Sequence, residues 1–370
     1  MSSSLADRVG PASPGREGSG ADPATDAPPA RRRRPWLALG AFALLLIVVS
    51  VVALAVGRYT VPPNEVLRIL LGHLLPLRET WFAQEYTVVM DVRLPRVLLA
   101  IIVGAGLALT GAVTQAVFRN PLASADILGV SSGASFGGVL VLMTGVGGAT
   151  LVGGAFLGGV LALVIVLAIA RAVPGGSLLM IILGGTVVGA MFNAMVSFIT
   201  YTADPYSELP SIVFWLMGSL ASASYTKVLI ALVPIALAGA VILALRWRLN
   251  ILSMGDEDAA SLGIDPRRMR MVLLACVALI TAGAVAVAGV IGWVGLVVPH
   301  LVRMVVGTDN RVVLPASCLL GAGYLVLIDT LSRSVSSAEL PLGILTAVIG
   351  APFFVGLLLR NRSTIWGAHA

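Results

Sequence analysis

The chain has 370 residues, of which 58% are hydrophobic and only 11% are charged, and its mean hydropathy is +0.99. This composition excludes a soluble globular protein and predicts an all-α polytopic membrane protein with the bilayer as its solvent. The net charge of +6 comes almost entirely from arginine, because Lys227 is the only lysine. Cys276 and Cys318 lie in apolar runs, which favours small buried side chains over a disulfide or a metal site.

The two ends of the chain differ from its apolar body. Residues 1–35 are rich in Ser, Pro, Gly, Ala and Asp without apolar periodicity, so we predict a disordered cytoplasmic tail. Arg31 to Arg34 then precede the apolar run Trp36 to Val56, which is long enough to span a membrane. Basic residues anchor the inner end of a first span. We predict that residues 363–370 form a short C-terminal tail.

Ten apolar runs are predicted to span the membrane, counting the first. They lie at about residues 36–56, 94–118, 127–144, 150–170, 178–200, 227–247, 271–290, 291–306, 312–331 and 342–360. An even number of spans returns the C-terminus to the cytoplasm. Beyond the tail, 11 basic residues fall in loops assigned inside and 7 in loops assigned outside, which agrees with the cytoplasmic excess of arginine in membrane proteins. We therefore predict a multi-pass protein of the cell (inner or plasma) membrane.

Two segments on the predicted outer side are longer than turns. Val61 to Leu77 has apolar residues at helical spacing and predicts a short helix on the membrane surface. Asp204 to Ser219 contains two prolines and predicts a broken helix at the outer end of the fifth span. Irregular backbone at that depth must lie inside protein or beside a water-filled cavity, which favours a translocation path there.

A polar island from Asn250 to Asp265 interrupts the apolar runs on the predicted inner side. Ser253 and Asp256 match the spacing of a capping box, and Asp256, Glu257 and Asp258 would occupy the first turn, where the helix dipole favours carboxylates. Gly263 is placed to end the helix. A helix of about two turns needs outside support, so the island is either a solvated loop or a docking element for a cytoplasmic partner.

Several patterns point to activities that the rest of the sequence supports poorly. Gly129 to Gly133 fits the G-x-S-x-G pattern of a serine hydrolase around Ser131, yet His300, the one histidine in an apolar run, lies toward the inner end of its span. Few ionisable residues lie in the spans, which disfavours an ion-coupled carrier. Asp329 is four residues from Arg333 and is predicted to form an ion pair. No P-loop surrounds Lys227, so active transport would need a separate ATPase.

Small residues recur at four-residue spacing, a pattern typical of helices that pack closely in lipid. A dimer interface is one form of such packing. The pairs are Gly133 with Gly137, Gly154 with Gly158, and Gly185 with Gly189.

Six motifs together resemble the FecCD-type permeases, the membrane subunits of ABC importers for ferric siderophores, haem and vitamin B12. They are RLPR (93–96), GAGLALTGAVTQAVFRNPLASADILGVSSGAS (104–135), FWLMGS (214–219), the island, GVIGWVGLVVPHLVR (289–303) and ELPLGILTAVIGAPFFVGLLLR (339–360). The resemblance covers nearly everything from about residue 60 and implies a transmembrane permease domain over residues 36–362.

The resemblance implies a function and a set of partners. The chain would be the permease of an ATP-driven importer, most often for a ferric siderophore in this family, with haem or cobalamin as alternatives. It would not be an enzyme and would have no catalytic residue, metal or cofactor of its own, since ATP and Mg²⁺ would bind to two cytoplasmic ABC ATPase subunits. A second permease copy, identical or closely related, and an external substrate-binding protein would complete the assembly.

The resemblance also implies roles for particular residues. The segment 250–266 would be the loop that couples the permease to the ATPase, through Ser253, Gly255, Asp256, Glu257, Asp258, Ala259, Leu262 and Gly263. The binding protein would dock through outward-facing arginines, namely Arg93, Arg96 and Arg333, because arginine pairs well with carboxylates. The turn formed by Asn120, Pro121 and Leu122 would lie near the inner gate.

The island departs from the family pattern. Similar permeases have an apolar residue where this chain has Asp258 and a basic one at Ala260, so the loop is unusually acidic. This difference leads to the hypothesis that the partner ATPase carries a matching basic surface.

Overall fold

A computed structural model describes residues 35–360 except 73–74, 77, 173–177 and 337. This part of the chain contains fifteen α-helices and no strand, which confirms the predicted all-α class. The helices are α1 (Pro35–Ala55), α2 (Pro63–Gly72), α3 (Ala83–Thr87), α4 (Leu94–Val117), α5 (Val130–Leu142), α6 (Ala149–Ala172), α7 (Leu178–Thr202), α8 (Glu208–Leu216), α9 (Tyr225–Ala244), α10 (Arg246–Met254), α11 (Asp256–Ser261), α12 (Pro266–Ala288), α13 (Val294–Val306), α14 (Asn310–Val335) and α15 (Leu342–Arg360). The predicted tails lie outside the described residues, apart from Pro35.

Seven of the described helices are long and apolar enough to cross a membrane, and α5, α13 and α15 are shorter apolar helices. These ten coincide with the ten predicted runs. The second run begins earlier than expected, because α3, a π-helical turn at Val88–Arg93 and α4 form one continuous helix over residues 83–117. The interior of the bundle consists mainly of α4, α12 and α14, which have the most buried spans.

Glycines allow the helices around α4 to approach backbone to backbone. A Cβ on Gly104 would lie 2.4 Å from the carbonyl oxygen of Gly321 in α14, and one on Gly111 would lie 1.8 Å from that of Gly295 in α13. The predicted small-residue pairs behave in the same way, because Gly133 and Gly137 of α5 face Gly154 and Gly158 of α6. These pairs therefore pack helices within one chain.

The bundle has two distinct ends. Helices α10 and α11 lie beside the end of α4 and the starts of α12 and α14, and we call this the α11 end. At the opposite α2 end, α1 and α14 terminate beside the start of α4. Helix α2 confirms the short helix predicted between Val61 and Leu77, with Val66 and Ile69 buried and Leu67 and Leu71 exposed, and its position on the membrane surface stays a prediction.

Helix α8 confirms the predicted break after α7. The backbone that follows α8 is irregular, but its polar groups are bound by other parts of the chain. The N–H groups of Leu342 and Gly343 donate to the carbonyl oxygens of Gly218 and Met217 at 2.9 and 3.0 Å, and Ser219 N–H donates to Ala288 at 2.8 Å. The break therefore lies inside protein, as irregular backbone in a membrane requires.

Candidate functional site

The polar island forms two short helices rather than one. Helix α10 runs to Met254, Gly255 is extended with φ 163° and ψ 162°, and α11 begins at Asp256. The predicted capping role of Ser253 is wrong, because its hydroxyl donates to the carbonyl oxygen of Asn250 at 2.7 Å inside α10. A serine within a continuing helix bonds back to the preceding turn and is no longer available to cap the next helix.

The predictions for the rest of α11 are confirmed. Asp256, Glu257 and Asp258 form its first turn. Gly263 has φ +77°, and the N–H groups of Gly263 and Ile264 donate to Ala260 and Ala259 at 3.0 and 2.9 Å, which together form a Schellman motif. Glycine suits this position because it adopts a positive φ without a steric cost.

Asp256 fastens α11 to two other helices. Arg270 of α12 donates to both carboxylate oxygens, at 2.9 Å to Oδ2 and by a close contact to Oδ1. Arg119, just beyond α4, donates to Oδ1 at 2.9 Å and also to the carbonyl oxygen of Leu252 at 2.9 Å. The hydrogen bonds from Arg270, with further attraction from Arg119, lower the pKa of Asp256 despite partial burial.

The other acidic residues of α11 point to solvent. Glu257 and Asp258 are exposed, whereas Ala259 is fully buried against the bundle. Met254 and Leu262 are also exposed, at 67% and 60%. Helix α11 therefore presents an acidic face edged by two apolar side chains, on a backbone that Asp256 and Ala259 hold in place.

Arg119 adopts a conformation that is uncommon for a residue with a side chain. Its φ is +51°, and the N–H groups of Arg119 and Asn120 donate to Ala116 and Gln115 at 3.4 and 3.1 Å. These bonds are the pattern of a Schellman motif, in which glycine is usual at the position of Arg119. The left-handed conformation costs an L-residue roughly 1–2 kcal/mol, and the contacts with Leu252 and Asp256 offset that cost.

The predicted gate turn and the island lie around one cavity. Asn120 Oδ1 accepts from Leu122 N–H at 2.9 Å, which makes a tight turn through Pro121. A cavity of about 290 Å³ is bounded by Asn120, Pro121 and Ser253, and by Gln115, Ala116, Arg119, Arg303, Thr308 and Asn310. The structure therefore brings two separately predicted groups together, although Leu122 is 50% exposed and does not line this cavity.

Arg93 and Arg333, two of the predicted docking arginines, are buried at the α2 end of the bundle. They are only 4% and 8% exposed. Arg93 donates to the carbonyl oxygens of Leu54 and Ala55 at 2.6 and 3.0 Å and contacts that of Tyr59, and Arg333 donates to that of Ala53. The last carbonyls of α1 lack helical partners and carry partial negative charge, so they attract guanidinium groups.

Arg96 is also buried, at 7% exposed, and has two acidic partners. Its Nε lies 2.8 Å from Asp329 Oδ1, and its Nη1 lies 3.0 Å from Glu339 Oε1. The predicted ion pair of Asp329 with Arg333 is longer, at 3.7 Å. The carboxylates and helix-end carbonyls of this chain therefore already bind all three arginines, and their docking role stays a prediction.

A small pocket in the middle of the bundle contains several hydroxyl groups. Ser131 and Ser124 donate to the two carboxylate oxygens of Asp126 at 2.8 and 3.3 Å, and Thr110 and Thr281 lie on the same pocket. Gly129, with φ +69°, starts α5 and brings Ser131 to Asp126. This bond pairs Ser131 with a carboxylate, whereas the hydrolase hypothesis required a histidine base.

Sequence reasoning missed the residues that hold the island in place. Arg119 and Arg270 bind Asp256, and Asn250 binds the start of α14 by donating to Asp309 Oδ1 at 2.7 Å and accepting from Asn310 N–H at 2.8 Å. One local signal existed, since Asp309 immediately precedes a helical run and could be recognised as a cap. The other pairs are far apart in sequence and leave no local pattern.

Several known proteins are similar to this chain in sequence. A sequence model of the FecCD transport family matches residues 45–360. The molybdate import system permease protein of Haemophilus influenzae is 42% identical over 319 residues, covering 86% of this chain and 94% of that protein. A probable iron chelatin transport system permease protein of Helicobacter pylori is 39% identical over 323 residues, covering 86% and 97%. Further relatives carry names for cobalamin, hemin and Fe(3+)-citrate.

A solved structure has the same fold. It is described as an inward-facing conformation of a putative metal-chelate type ABC transporter and superposes with a TM-score of 0.78 at 41% identity. The match covers 87% of this chain and 98% of the other.

Proposed function

This chain belongs to the FecCD transport family and is a multi-pass permease of an ABC importer, and we propose that its substrate is a ferric siderophore. Its relatives are permease subunits of importers in which separate subunits supply the ATPase activity. The expectation that this chain is not an enzyme is therefore confirmed. The ion-coupled carrier and the hydrolase are set aside. The role of each site residue below is part of the proposal.

The α11 end is proposed to face the cytoplasm and to bind the ATPase. Support comes from the arginines at this end, including Arg246, Arg248, Arg267 and Arg268, which follow the cytoplasmic excess of basic residues. A short helix that presents an exposed face on a fixed backbone suits helix-in-groove recognition. Glu257 and Asp258 would meet basic side chains of the ATPase, and Met254 and Leu262 would enter apolar positions in its cleft.

The assembly is proposed to contain this permease and a second one, identical or closely related, with two ATPase subunits and an external binding protein, and with ATP and Mg²⁺ bound only to the ATPase subunits. Closure of the ATPase pair would move α11, and Asp256 with Arg119 would carry that movement to the turn at Asn120. The binding protein would approach the α2 end. There Arg93, Arg96 and Arg333 would pair with carboxylates of the binding protein, and that pairing requires release from their present contacts.

The carboxylate of Asp126, beside the mid-bundle pocket of about 30 Å³, is the observation that favours a ferric chelate over a free oxyanion, on the proposal that substrate passes this part of the bundle. Asp126 is exposed and lines this pocket, and the hydroxyls of Ser124 and Ser131 already donate to its carboxylate. A small oxyanion such as molybdate would therefore meet a like charge, with these donors occupied. A chelate whose charge is buried under ligand atoms has no such conflict.

Transport by the reconstituted complex tests the proposal. Proteoliposomes with the permease, its ATPase and its binding protein should take up a ⁵⁵Fe-siderophore when ATP is supplied, and a hydrolysis-deficient ATPase should abolish that uptake. Hemin, cobalamin and ⁹⁹Mo-molybdate should be carried more slowly. Faster uptake of any of these three compounds would overturn the proposed substrate.

A further inference from the structure

A cleft beside the start of α12 combines basic and apolar side chains at one edge of the membrane-spanning bundle. It has a volume of about 510 Å³ and lies between the junction of α9 with α10 and the junction of α11 with α12. Its lining residues are Leu245, Trp247, Arg248, Leu262, Gly263, Ile264, Asp265, Arg268, Met269 and Val272. The ion pairs and hydrogen bonds that hold the island against α4, α12 and α14 use residues that do not line this cleft. The cleft shares with the island only the residues just beyond the end of α11.

The cleft carries an excess of one positive charge. Arg248 is exposed and has no ion-pair partner among residues 35–360 as described. Arg268 is 87% exposed at its side chain, and its Nε lies 3.2 Å from Asp265 Oδ2. Asp265 also accepts from the N–H groups of Arg267 and Arg268, so its carboxylate is largely engaged in starting α12. Two arginines against one carboxylate complement a ligand with a single negative charge.

The position of the cleft matches the boundary between hydrocarbon and water. The spanning helix α9 ends at Ala244, and α12 begins at Pro266. Tryptophan and arginine are characteristic of membrane interfaces. The Arg311 guanidinium lies 5.9 Å from the centre of the Trp247 ring, which helps to hold the indole beside the cleft. Val272, on the apolar side of the cleft, is 45% exposed on α12.

We propose that this cleft binds the headgroup of an anionic phospholipid. The phosphate would contact Arg248 and Arg268, and Trp247 would lie beside the glycerol. The first acyl carbons would follow Leu245 and Val272. Basic pockets between spanning helices recognise anionic headgroups by this combination of charge and apolar contact. Val272, exposed, and Cys276 and Leu279, half-buried, continue from the charged site along one side of α12, which favours a lipid over a soluble anion.

Lipid binding is tested with the full-length permease in nanodiscs. Native mass spectrometry would measure how strongly dioleoyl-phosphatidylglycerol and dioleoyl-phosphatidylcholine are retained. It would compare the wild type with a paired variant that carries both Arg248→Gln and Arg268→Gln. Arg171→Gln is the matched control, because Arg171 is an exposed arginine at the same end of the bundle and outside the cleft. We expect the paired change to weaken retention of phosphatidylglycerol by about fivefold for each arginine, with the control unchanged.

A second measurement does not depend on the variants folding. Wild-type protein would be photo-crosslinked with a diazirine-labelled phosphatidylglycerol whose label lies near the glycerol. Peptides containing residues 245–248 and 268–272 should carry the label, and unlabelled phosphatidylglycerol should compete more strongly than inorganic phosphate or phosphatidylcholine.

Several results would overturn the proposal. One is equal retention of phosphatidylglycerol by the wild type, the paired variant and Arg171→Gln, and another is a loss in Arg171→Gln that equals the loss in the paired variant. Labelling of peptides other than those containing residues 245–248 and 268–272 would also overturn it, as would competition by inorganic phosphate as strong as that by phosphatidylglycerol. A further such result is normal lipid retention by the paired variant together with loss of ATPase binding, since the cleft would then be a protein contact. These readouts need neither transport nor a known substrate, so they stand apart from the proposed function.

Discussion

Arg119 and Asp256 join the end of α4 to the proposed coupling helix, with Arg119 Nη2 2.9 Å from Asp256 Oδ1. The same guanidinium nitrogen donates to the carbonyl oxygen of Leu252 in α10. A single side chain thus connects the segment that leads into the turn at Asn120 with both helices of the island. This connection makes the island part of the bundle rather than a solvated loop, which was the alternative that its sequence left open.

Two substitutions of Arg119 distinguish the free-energy cost of its left-handed backbone from the contribution of its side-chain contacts. Arg119→Gly should be more thermally stable than Arg119→Ala, because glycine relieves a left-handed conformation that costs other residues roughly 1–2 kcal/mol. Both variants lack the guanidinium, so both should reduce the transport driven by each ATP hydrolysed. The measurements are the thermal unfolding midpoint and the ratio of uptake to ATPase rate. Wild-type coupling in both variants would show that Arg119 has no part in transmission.

Asp256 and Asp258 lie in the same turn but should behave differently. Asp256→Asn weakens the ion pairs with Arg119 and Arg270, and partly exposed pairs of this kind contribute up to about 1 kcal/mol. Amide hydrogen exchange across α11 should therefore accelerate by up to about fivefold. Asp258→Asn, which changes an exposed acid, is the control and should leave exchange unchanged. Equal exchange in the two variants would contradict the anchoring role of Asp256.

The same anchor predicts a pH dependence. Hydrogen bonds from Arg270 lower the pKa of Asp256, so the folded state stabilises the carboxylate. That contribution is fully present above the unfolded aspartate pKa of about 3.9 and is lost as pH falls through the lower folded value. Exchange protection of α11, corrected for intrinsic rates, should stay constant from pH 5 to 8 and decrease below about pH 4. Asp256→Asn should remove this acid-dependent step.

The exposed acids of α11 provide a test of ATPase docking. Asp258→Lys should weaken binding of the cognate ATPase, because it reverses a charge at the proposed interface, while the isolated permease loses no more than the roughly 0.3–1 kcal/mol that a charge at a helix start contributes. Glu79→Lys is the matched control, since Glu79 is exposed near α2 and α3, away from the island. Pull-down of the ATPase at low and high salt measures the effect. Equal ATPase binding by both variants at low salt would contradict the proposed acidic interface.

Local sequence signals predicted those features that depend on neighbouring residues. The ten apolar runs, α2, the break before α8 and the stop at Gly263 all follow from hydropathy or backbone conformation over a few residues. Ser253 was assigned wrongly because a capping serine and a serine within a continuing helix have the same local pattern. Arg96 binds Asp329, which is 233 residues away, and no short-range pattern encodes that contact. Exposure of the three arginines was therefore beyond what one sequence could decide.

Close glycine packing predicts opposite effects at two adjacent positions. A Cβ on Gly154 would lie 2.4 Å from Val141 Cγ2 and 3.0 Å from the carbonyl oxygen of Gly137, whereas a Cβ on Gly153 would meet nothing within 4 Å. Gly154→Ala should lower stability by about 1–3 kcal/mol through overpacking. Gly153→Ala should be neutral or stabilising by up to about 1 kcal/mol, since alanine favours a helix. Thermal unfolding in one detergent compares the two variants, and equal midpoints would contradict the tight α5–α6 contact.

Substitution of Arg96, buried at the α2 end, tests whether this residue stabilises the fold or docks the substrate-binding protein. Arg96→Gln leaves Asp329 buried without its closest partner, and breaking a buried pair in this way costs about 3–5 kcal/mol. We therefore expect a large fall in the thermal midpoint, in addition to any loss of substrate delivery. Changing both partners to apolar residues, with Arg96→Met and Asp329→Leu, should recover only part of the stability, because the buried unpaired carboxylate is removed but Glu339 and Arg333 each lose an ion-pair partner. If Arg96→Gln instead kept the wild-type midpoint and only weakened binding of the substrate-binding protein, Arg96 would be a docking residue that is free to leave Asp329.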